Sequence, residues 1–373
     1  MKLAIYALLV VAGLITGCRT GPKGDASGYP TRELTFTEDL TIGRADSDET
    51  LFSYVTEVRA DPDGNIYVSD SRESTVSAFD ADGRFKFAVA GQGQAPGQIQ
   101  VLQTFYVAGD SILVFDYRPV FVVFDRETGE FVRRHTPAFD VDRYGWPAYP
   151  GVAAHGLVGS FPVRPQVTNP EASPFESATR NEVALSIGDG FGAPLWAGSS
   201  SERMFYTPTG PNAPLTVSRP TPQGHNSFCA VGRELMYCAE NDSLEFDVIR
   251  LADGTVSRYS VPFEPLESTA ADRDVWLGDM RDENFRAMFR APDRWRALED
   301  LLIDDTGKLW MQVRVARSDS LATWWVVDPQ SDYRAVVSLP DSVLLLSVAA
   351  GAAYARVTAE SSEQWAARYS FEY

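Results

Sequence analysis

Four arginines stand at matching places near the ends of strand-like segments, where their side chains could bind an anion. The four are Arg72, Arg118, Arg314 and Arg317. A guanidinium binds a carboxylate, sulfate or phosphate through two parallel hydrogen bonds. If these strand ends converge on one face of the fold, they predict a cationic ring that binds an anionic glycan or a peptide carboxylate. The alternative is that each arginine pairs with an acidic residue of its own loop.

Two cysteines flank a predicted hairpin and could form a disulfide. Cys229 and Cys238 lie directly opposite each other if Arg233 and Glu234 form a two-residue turn. Opposed residues of an antiparallel pair have Cβ atoms at about the separation that a disulfide needs. Because an exported compartment permits oxidation, we predict a cross-strand disulfide. A register shifted by one residue would instead direct the two side chains to opposite faces.

The sequence contains little that predicts catalysis or metal binding. The three histidines, His135, His155 and His225, lie in different repeat units and lack the spacing of metal ligands. No nucleophile elbow, phosphate-binding loop, zinc-protease motif or calcium-binding loop is present. Asp70 and Asp116 each end a strand, and such aspartates more often bond a turn than act as acids. We therefore predict no catalytic residue, no metal ligand and no cofactor.

The N-terminus predicts export followed by lipid anchoring. A cationic start precedes a 13-residue apolar run, Leu3–Ile15, which is too short to span a bilayer and is typical of a signal peptide. The run ends in Leu14-Ile-Thr-Gly-Cys18, which resembles the lipobox of bacterial lipoproteins. The resemblance implies cleavage after residue 17 and acylation of Cys18. The alternative is an ordinary secretion signal with an incidental cysteine.

Residues 18–30 are rich in glycine, proline, lysine and serine, and we interpret them as a flexible tether. Several acyl chains anchor a protein stably without a membrane helix. The residue after the cysteine is Arg19, rather than the aspartate that resembles an inner-membrane retention signal. We therefore expect a lipid-anchored protein of the cell envelope, with the outer membrane favoured over the inner one in a Gram-negative host.

Residues 31–373 repeat a unit of four short strands. A turn glycine recurs between the first two strands of each unit, at Gly64, Gly109, Gly156, Gly232, Gly307 and Gly351. Most of these glycines are separated by 44–47 residues, and two separations are about 30 residues longer. A period in the forties with four strands per unit is typical of a β-propeller blade. We predict an all-β, six-bladed propeller that forms a single domain.

The long separations predict two insertions, and the last unit predicts how the ring closes. Residues 160–222 are rich in proline and predict a loop insertion in blade 3, whereas residues 265–298 predict a short helical insertion before blade 5. The last unit, 343–373, offers only three strands. Because an uncovered sheet edge invites aggregation, we predict that residues 33–42 supply the missing outer strand.

The first unit also resembles a known repeat family. The segment Asp61–Ser71 resembles an NHL repeat, and the glycine-rich stretch 91–99 resembles the link between NHL blades. Residues 31–373 resemble the six-bladed β-propeller lipoproteins that occur as uncharacterised proteins in environmental and gut bacteria. Such propellers include binding proteins, lyases and hydrolases, so the resemblance implies a fold more than an activity.

Composition excludes one class of partner and leaves three functions open. The formal net charge of −18 argues against nucleic-acid binding, which needs a basic surface. The leading hypothesis is a monomeric, non-catalytic lipoprotein that binds a glycan, a peptide or a partner protein. The second is a lyase or lactonase-like hydrolase with a site in the channel, although the scarcity of histidine argues against an enzyme. The third is a scaffold for envelope assembly.

Overall fold

The structure is a computed structural model that describes most of the predicted propeller. The described residues are 30, 32–44, 51–116, 120–138, 148–154, 156–163, 180–187, 190–206, 217–278, 280–317, 320–331 and 333–373. The predicted signal peptide, Cys18 and the predicted tether up to residue 29 lie outside these ranges. None of the helices within them has the length and apolar character needed to cross a membrane.

Two short strands, β1 (Arg32–Glu33) and β2 (Thr37–Ile42), precede the first complete sheet. The next eight strands form two antiparallel four-stranded meanders, blade 1 and blade 2. Blade 1 consists of β3 (Val55–Ala60), β4 (Ile66–Asp70), β5 (Thr75–Phe79) and β6 (Phe85–Ala90). Blade 2 consists of β7 (Leu102–Ala108), β8 (Ser111–Asp116), β9 (Phe121–Asp125) and β10 (Phe131–His135).

Blades 3 and 4 are linked by an additional hairpin. Blade 3 consists of β11 (Ala148–Ala153), β12 (Gly156–Val163), β13 (Arg180–Ile187), β14 (Gly190–Phe191) and β15 (Trp196–Ser199), with β14 and β15 both paired to β13. The hairpin pairs β16 (Arg203–Tyr206) with β17 (Val217–Pro220). Blade 4 consists of β18 (Ser227–Val231), β19 (Leu235–Glu240), β20 (Glu245–Arg250) and β21 (Val256–Ser260).

A helical insertion separates blade 4 from the last two blades. It contains α1 (Ala270–Leu277) and α2 (Glu283–Met288). Blade 5 consists of β22 (Leu298–Ile303), β23 (Leu309–Val313), β24 (Leu321–Val327) and β25 (Arg334–Pro340). Blade 6 consists of β26 (Val343–Ala349), β27 (Ala352–Thr358) and β28 (Gln364–Ser370), and β2 completes it.

The first strand of each blade lies innermost and contacts its counterpart in the next blade. The contacts run from β3 through β7, β11, β18, β22 and β26, and β26 returns to β3. Apolar side chains fill the spaces between the sheets, which accounts for the clusters that join blade 4 to blade 5 and blade 5 to blade 6. The described residues therefore form a closed ring of six blades, and the predicted fold class is confirmed.

The ring is closed by residues 32–42, which we call the closing segment. Strand β2 pairs antiparallel with β28, so the predicted outer strand of blade 6 is present. In addition, β1 pairs parallel with β25 of blade 5, which the sequence did not predict. Between them, the Leu34 amide donates a 2.8 Å hydrogen bond to the Val336 carbonyl, and the Phe36 ring stacks on Phe371 at 5.1 Å. The closing segment therefore covers two blades.

Aspartate side chains fix the turns that gave the sequence its repeat. The Asp61 carboxylate accepts hydrogen bonds from the Asp63 and Asn65 amides and from the Tyr67 hydroxyl, and all three distances are 2.9–3.0 Å. Gly64 takes φ +83° in the same turn, a conformation that favours glycine. In the equivalent turn of blade 5, the Asp304 carboxylate accepts hydrogen bonds from the Thr306 and Lys308 amides. Buried carboxylates at these turns are therefore structural.

The two faces of the ring differ in what they carry. The turn face holds the turns between first and second strands and between third and fourth strands, such as 61–65 and 80–84 in blade 1. The loop face holds the connections between second and third strands and between blades, such as 71–74 and 91–101. The hairpin β16–β17 and the helices both lie in connections between blades, so both belong to the loop face.

The loop insertion predicted in blade 3 is shorter than 160–222, because β13 and β15 lie in that range.

We expect the closing segment to make a large contribution to stability. Leu34 is 3% exposed and packs in the cluster between blades 5 and 6, so Leu34→Ala should lower the free energy of unfolding by about 3 kcal/mol. Urea denaturation would measure it. Leu51→Ala is the matched control, because Leu51 is 61% exposed. Equal effects of the two substitutions would contradict this role of the closing segment.

Candidate functional site

Two of the four arginines named above already bind carboxylates. The Arg314 guanidinium pairs with Glu299 of β22 and lies 5.2 Å above the Trp295 ring. Arg317 pairs with Asp272 of α1 and donates to the Glu267 carbonyl. Both guanidinium groups are therefore paired with carboxylates, but neither partner lies in the arginine's own loop, where the alternative interpretation placed it. Both arginines join the helical insertion or its flank to blade 5.

Asp272 is the centre of this attachment. Its carboxylate accepts hydrogen bonds from the Thr269 amide at 2.6 Å and the Trp295 indole at 3.1 Å, in addition to Arg317. Burial opposes ionisation of Asp272, but these hydrogen bonds outweigh it and lower its pKa to about 2. Around it, aromatic and aliphatic side chains of the insertion form a small core that includes Leu277 and Phe285. The insertion is thus a packed unit fixed to the loop face.

The structure does not show the other two arginines, Arg72 and Arg118, in a common site. Arg72 is exposed, whereas Arg118 lies outside the described residues. Asp70, two residues before Arg72, accepts hydrogen bonds from the amides of Ser53, Tyr54 and Arg72 at 2.5, 3.2 and 3.0 Å. Asp70 therefore joins the segment before β3 to the connection between β4 and β5. Anion binding by Arg72 and Arg118 stays a prediction.

The histidines are likewise apart. The His135 ring lies 4.9 Å from the Phe121 ring, the His225 amide donates to Glu202, and His155 lies outside the described residues. Among the described residues, no three histidine, cysteine, aspartate or glutamate side chains are grouped closely enough to hold a metal ion.

The two cysteines lie on the face of blade 4 that is turned towards blade 3. Cys229 of β18 and Cys238 of β19 are directly opposed, and their sulfur atoms are joined in the structure. In the same row of the sheet, Asp247 of β20 is paired with Cys238, and Arg258 of β21 is paired with Asp247. Side chains of one row share one face of a sheet. The disulfide and an ion pair therefore lie side by side.

The interface between blades 3 and 4 changes character along the strands. Near the turn face it is apolar, with Met236 and Ile249 of blade 4 fully buried beside Val158 and Val183 of blade 3. Towards the loop face it opens into a cleft of about 380 Å³. The lining residues are Trp196, Ala197, Cys238, Ala239, Glu240, Asp242, Ser243, Glu245, Phe246, Asp247 and Arg258. We call this space the blade 3–4 cleft.

One wall of the cleft is the Trp196 indole of blade 3, which is held at two points. Its Nε1 donates a 2.9 Å hydrogen bond to Asp247 Oδ2 across the interface. Its ring lies over Gly198, where an added Cβ would stand only 2.0 Å from the indole. Glycine at this position therefore lets the indole lie flat along its own strand.

Asp247 connects the indole to the opposite side of the cleft. Arg258 donates to both carboxylate oxygens at 2.8 and 2.9 Å, in a bidentate geometry. Hydrogen bonds from Arg258 lower the pKa of Asp247 against the opposing effect of burial, and the Trp196 indole contributes. Asp247 is therefore ionised at neutral pH and committed to these two partners.

Glu240 contributes a carboxylate to the cleft in which one oxygen is buried without a hydrogen-bond donor in the described part of the chain. Its Oε1 accepts a 2.8 Å hydrogen bond from the Ser199 amide of blade 3. Its Oε2 is buried and accepts no hydrogen bond from the described residues. Buried polar atoms are nearly always hydrogen-bonded, so an oxygen in this state is a place where a ligand donor could bind. Asp242 and Glu245 are exposed beside it at the mouth of the cleft.

Sequence reasoning missed this cleft because its walls come from two blades. One local signal was present, since Asp247 interrupts the apolar segment Phe246–Ile249 of a central strand. A charged side chain at such a position needs polar partners, which here are Arg258 of the next strand and Trp196 of blade 3. The alternation of residues in one strand cannot identify those partners.

The innermost strand of blade 5 contains an aspartate, Asp300, with a raised pKa. Asp300 lies in β22, directly after Glu299, and accepts a 2.8 Å hydrogen bond from the Leu301 amide. Burial raises the pKa of the Asp300 carboxyl to about 6, and the negative charge of Glu299 adds to the rise. A carboxyl that titrates near neutral pH in the inner strands is a candidate functional group.

Residues 46–146 match the model of a protein family described as a 6-bladed beta-propeller. This segment contains blades 1 and 2 and agrees with the fold above. No curated protein was found to match the chain.

Solved structures are similar in fold over almost the whole chain. A crystal structure described as that of an exported protein from Bacteroides fragilis is 12% identical with a TM-score of 0.51, and covers 91% of this chain and 95% of its own. A DUF4221-family protein from Bacteroides vulgatus is 7% identical with a TM-score of 0.47, and covers 91% and 99%. A streptogramin B lyase is 10% identical with a TM-score of 0.43, and covers 90% and 98%. The likeness to the Bacteroides fragilis protein concerns the fold alone.

Asp300 should make stability depend on pH. Its raised pKa means that the folded chain holds the proton more tightly than the unfolded chain, so stability falls as pH rises from about 4 to about 6. Asp300→Asn cannot ionise and should raise the free energy of unfolding above pH 6 by up to about 3 kcal/mol. Urea denaturation between pH 4 and pH 8 measures the difference. The matched control is Asp341→Asn at an exposed turn, and an Asp300→Asn effect independent of pH would contradict the prediction.

Proposed function

We propose that the protein is an exported, lipid-anchored binding module that captures a glycan, a peptide or a partner protein in the blade 3–4 cleft. One observation carries the proposal: the interface between these blades is apolar near the turn face but opens into a polar cleft at the loop face. Its volume of about 380 Å³ is within the range of small-ligand sites.

The lining of the cleft is poorly suited to a purely structural role. The ion pair lies within blade 4, between the buried Asp247 and the exposed Arg258, and contributes little net stability because solvent screening and desolvation offset the attraction. An apolar side chain in place of Asp247 could pack against blade 3 as well. The polar lining therefore supports a role in recognition, and the indole of Trp196 provides an apolar surface beside the charged groups.

The contacts of Asp247 favour binding over catalysis. A general base needs an oxygen that can take a proton from a substrate. Both oxygens of Asp247 already accept hydrogen bonds from Arg258, and Trp196 donates to one of them. Its lowered pKa further reduces its tendency to take a proton.

The envelope location rests on the N-terminal sequence. The signal-peptide core Leu3–Ile15 and the lipobox-like segment ending at Cys18 support export and acylation. The NHL-like first blade, Asp61–Ser71, fits a propeller lipoprotein of this kind. We expect a monomer held at a membrane, with the outer membrane favoured in a Gram-negative host.

The anchor can be tested with one substitution. Cys18→Ser should abolish labelling of the protein by radioactive palmitate and release it from the membrane fraction, because the serine cannot take the diacylglycerol. Fractionation and labelling in the native host measure both. Cys238→Ser, which removes a cysteine of the propeller, is the control. Equal labelling of Cys18→Ser and the unaltered protein would contradict lipidation.

The cleft can be tested by filling it. Ser243→Tyr places a ring at the mouth of the cleft, whereas Ser71→Tyr makes the same change in the corresponding connection of blade 1. We expect a panel of neutral, basic and acidic oligosaccharides and peptides to contain a ligand that loses about tenfold or more in affinity with Ser243→Tyr only. A panel without any ligand, or a ligand that ignores Ser243→Tyr, would contradict the proposal.

The same panel separates the cleft from the arginine hypothesis. An acidic ligand that is lost with Arg72→Ala combined with Arg118→Ala, but retained with Ser243→Tyr, would place binding at the arginines instead. Loss of affinity in the double arginine variant indicates the arginines, whereas loss of affinity in Ser243→Tyr indicates the cleft.

A further inference from the structure

We infer that the blade 3–4 cleft binds an amino sugar, a ligand with a protonated amine on a hydroxylated ring. The inference rests on the proposed function and names the ligand chemistry of the same site. Three features carry it: the charge of the lining, the unsatisfied oxygen of Glu240 and the fixed indole of Trp196.

The lining is strongly acidic. Among the lining residues that the structure describes, Glu240, Asp242, Glu245 and Asp247 carry carboxylates, and Arg258 is the basic one. The charge of Arg258 is already matched by Asp247 through two hydrogen bonds. The remaining carboxylates give the cleft a negative potential, which attracts cations and repels anions. A cationic ligand therefore suits this site.

Glu240 fixes where the cation would bind. Its Oε2 is shielded from water and has no hydrogen-bond donor among the described residues, while its Oε1 is held by the Ser199 amide. Its carboxylate is therefore oriented by blade 3 and lacks one donor. A protonated amine supplies up to three N–H donors and a positive charge, so it could pair with this carboxylate once the side chain turns Oε2 towards the cleft.

The other groups favour a sugar ring over a linear amine. Asp242 and Glu245 are exposed acceptors at the mouth, and the Ser243 hydroxyl lies between them in the chain. Hydroxyl groups around a ring can donate to several such acceptors from different sides, whereas a linear amine has donors only at its amino groups. The Trp196 indole adds an apolar surface on which the C–H face of a sugar could rest. Its hydrogen bond to Asp247 fixes the ring, and Gly198 leaves room for it.

The decisive experiment compares the trimer of glucosamine with the trimer of N-acetylglucosamine. The two share their rings, but only the first carries protonated amines at mildly acidic pH. Calorimetry on the whole protein should show the glucosamine trimer binding about tenfold or more tightly than the acetylated trimer, as expected for a hydrogen bond to a charged group. Cadaverine, a linear diamine, should bind more weakly than the glucosamine trimer.

Glu240→Gln should remove the preference for the amine, because the amide keeps an acceptor for the Ser199 amide but loses the charge. Glu360→Gln, at an exposed connection of blade 6, is the matched control and should change nothing. If Glu240→Gln fails to fold, as judged by circular dichroism, Glu245→Gln at the mouth should still weaken glucosamine binding severalfold.

The outcomes separate this inference from the proposed function. Equal binding of the two trimers, or an amine preference that survives Glu240→Gln, overturns the amine. Cadaverine binding as tightly as the glucosamine trimer overturns the sugar. If neither trimer binds while another ligand is lost with Ser243→Tyr, the amino-sugar inference fails and the cleft remains the binding site. If no ligand at all depends on Ser243, both fail.

Discussion

The pairing of β2 with β28 is the interaction on which the rest of the structure depends. Each blade covers the apolar face of its neighbour, and β2 covers the edge that the last sheet would otherwise expose. The strands that complete it are more than 300 residues apart in the chain. Leu34 and Phe36 stabilise this closure by packing in the apolar cluster between blades 5 and 6. The spacing of the blades, and so the shape of the clefts between them, depends on that closure.

A closed ring also sets how far neighbouring blades can separate. In the blade 3–4 interface the apolar part lies near the turn face, where Met236 and Ile249 are buried. The polar part, with Asp247 and Arg258, lies near the loop face, where the cleft opens. The disulfide between Cys229 and Cys238 lies in the same row of the sheet as Asp247 and Arg258.

Much of the fold could be predicted from the sequence because its cause is local. The Asp61 and Asp304 turns need only nearby amides, so their motifs repeat visibly, and the opposed register of Cys229 and Cys238 follows from the length of one hairpin. Proline hid β13 and β15, which lie in a segment of loop-like composition. The pairing of Arg317 with Asp272 and of Trp196 with Asp247 joins parts of the chain that no local pattern connects.

The place where the closing segment enters the ring has a consequence for orientation. Arg32 lies against the Tyr333 ring, beside the turn that precedes β25, on the side opposite the helices and the hairpin. Eleven residues lie between Cys18 and Pro30, and a fully extended chain over these twelve steps reaches at most about 43 Å. If Cys18 is acylated, this short tether would attach the propeller to the lipid with its turn face towards the bilayer. The loop face, with the mouth of the cleft, would then point away from the bilayer.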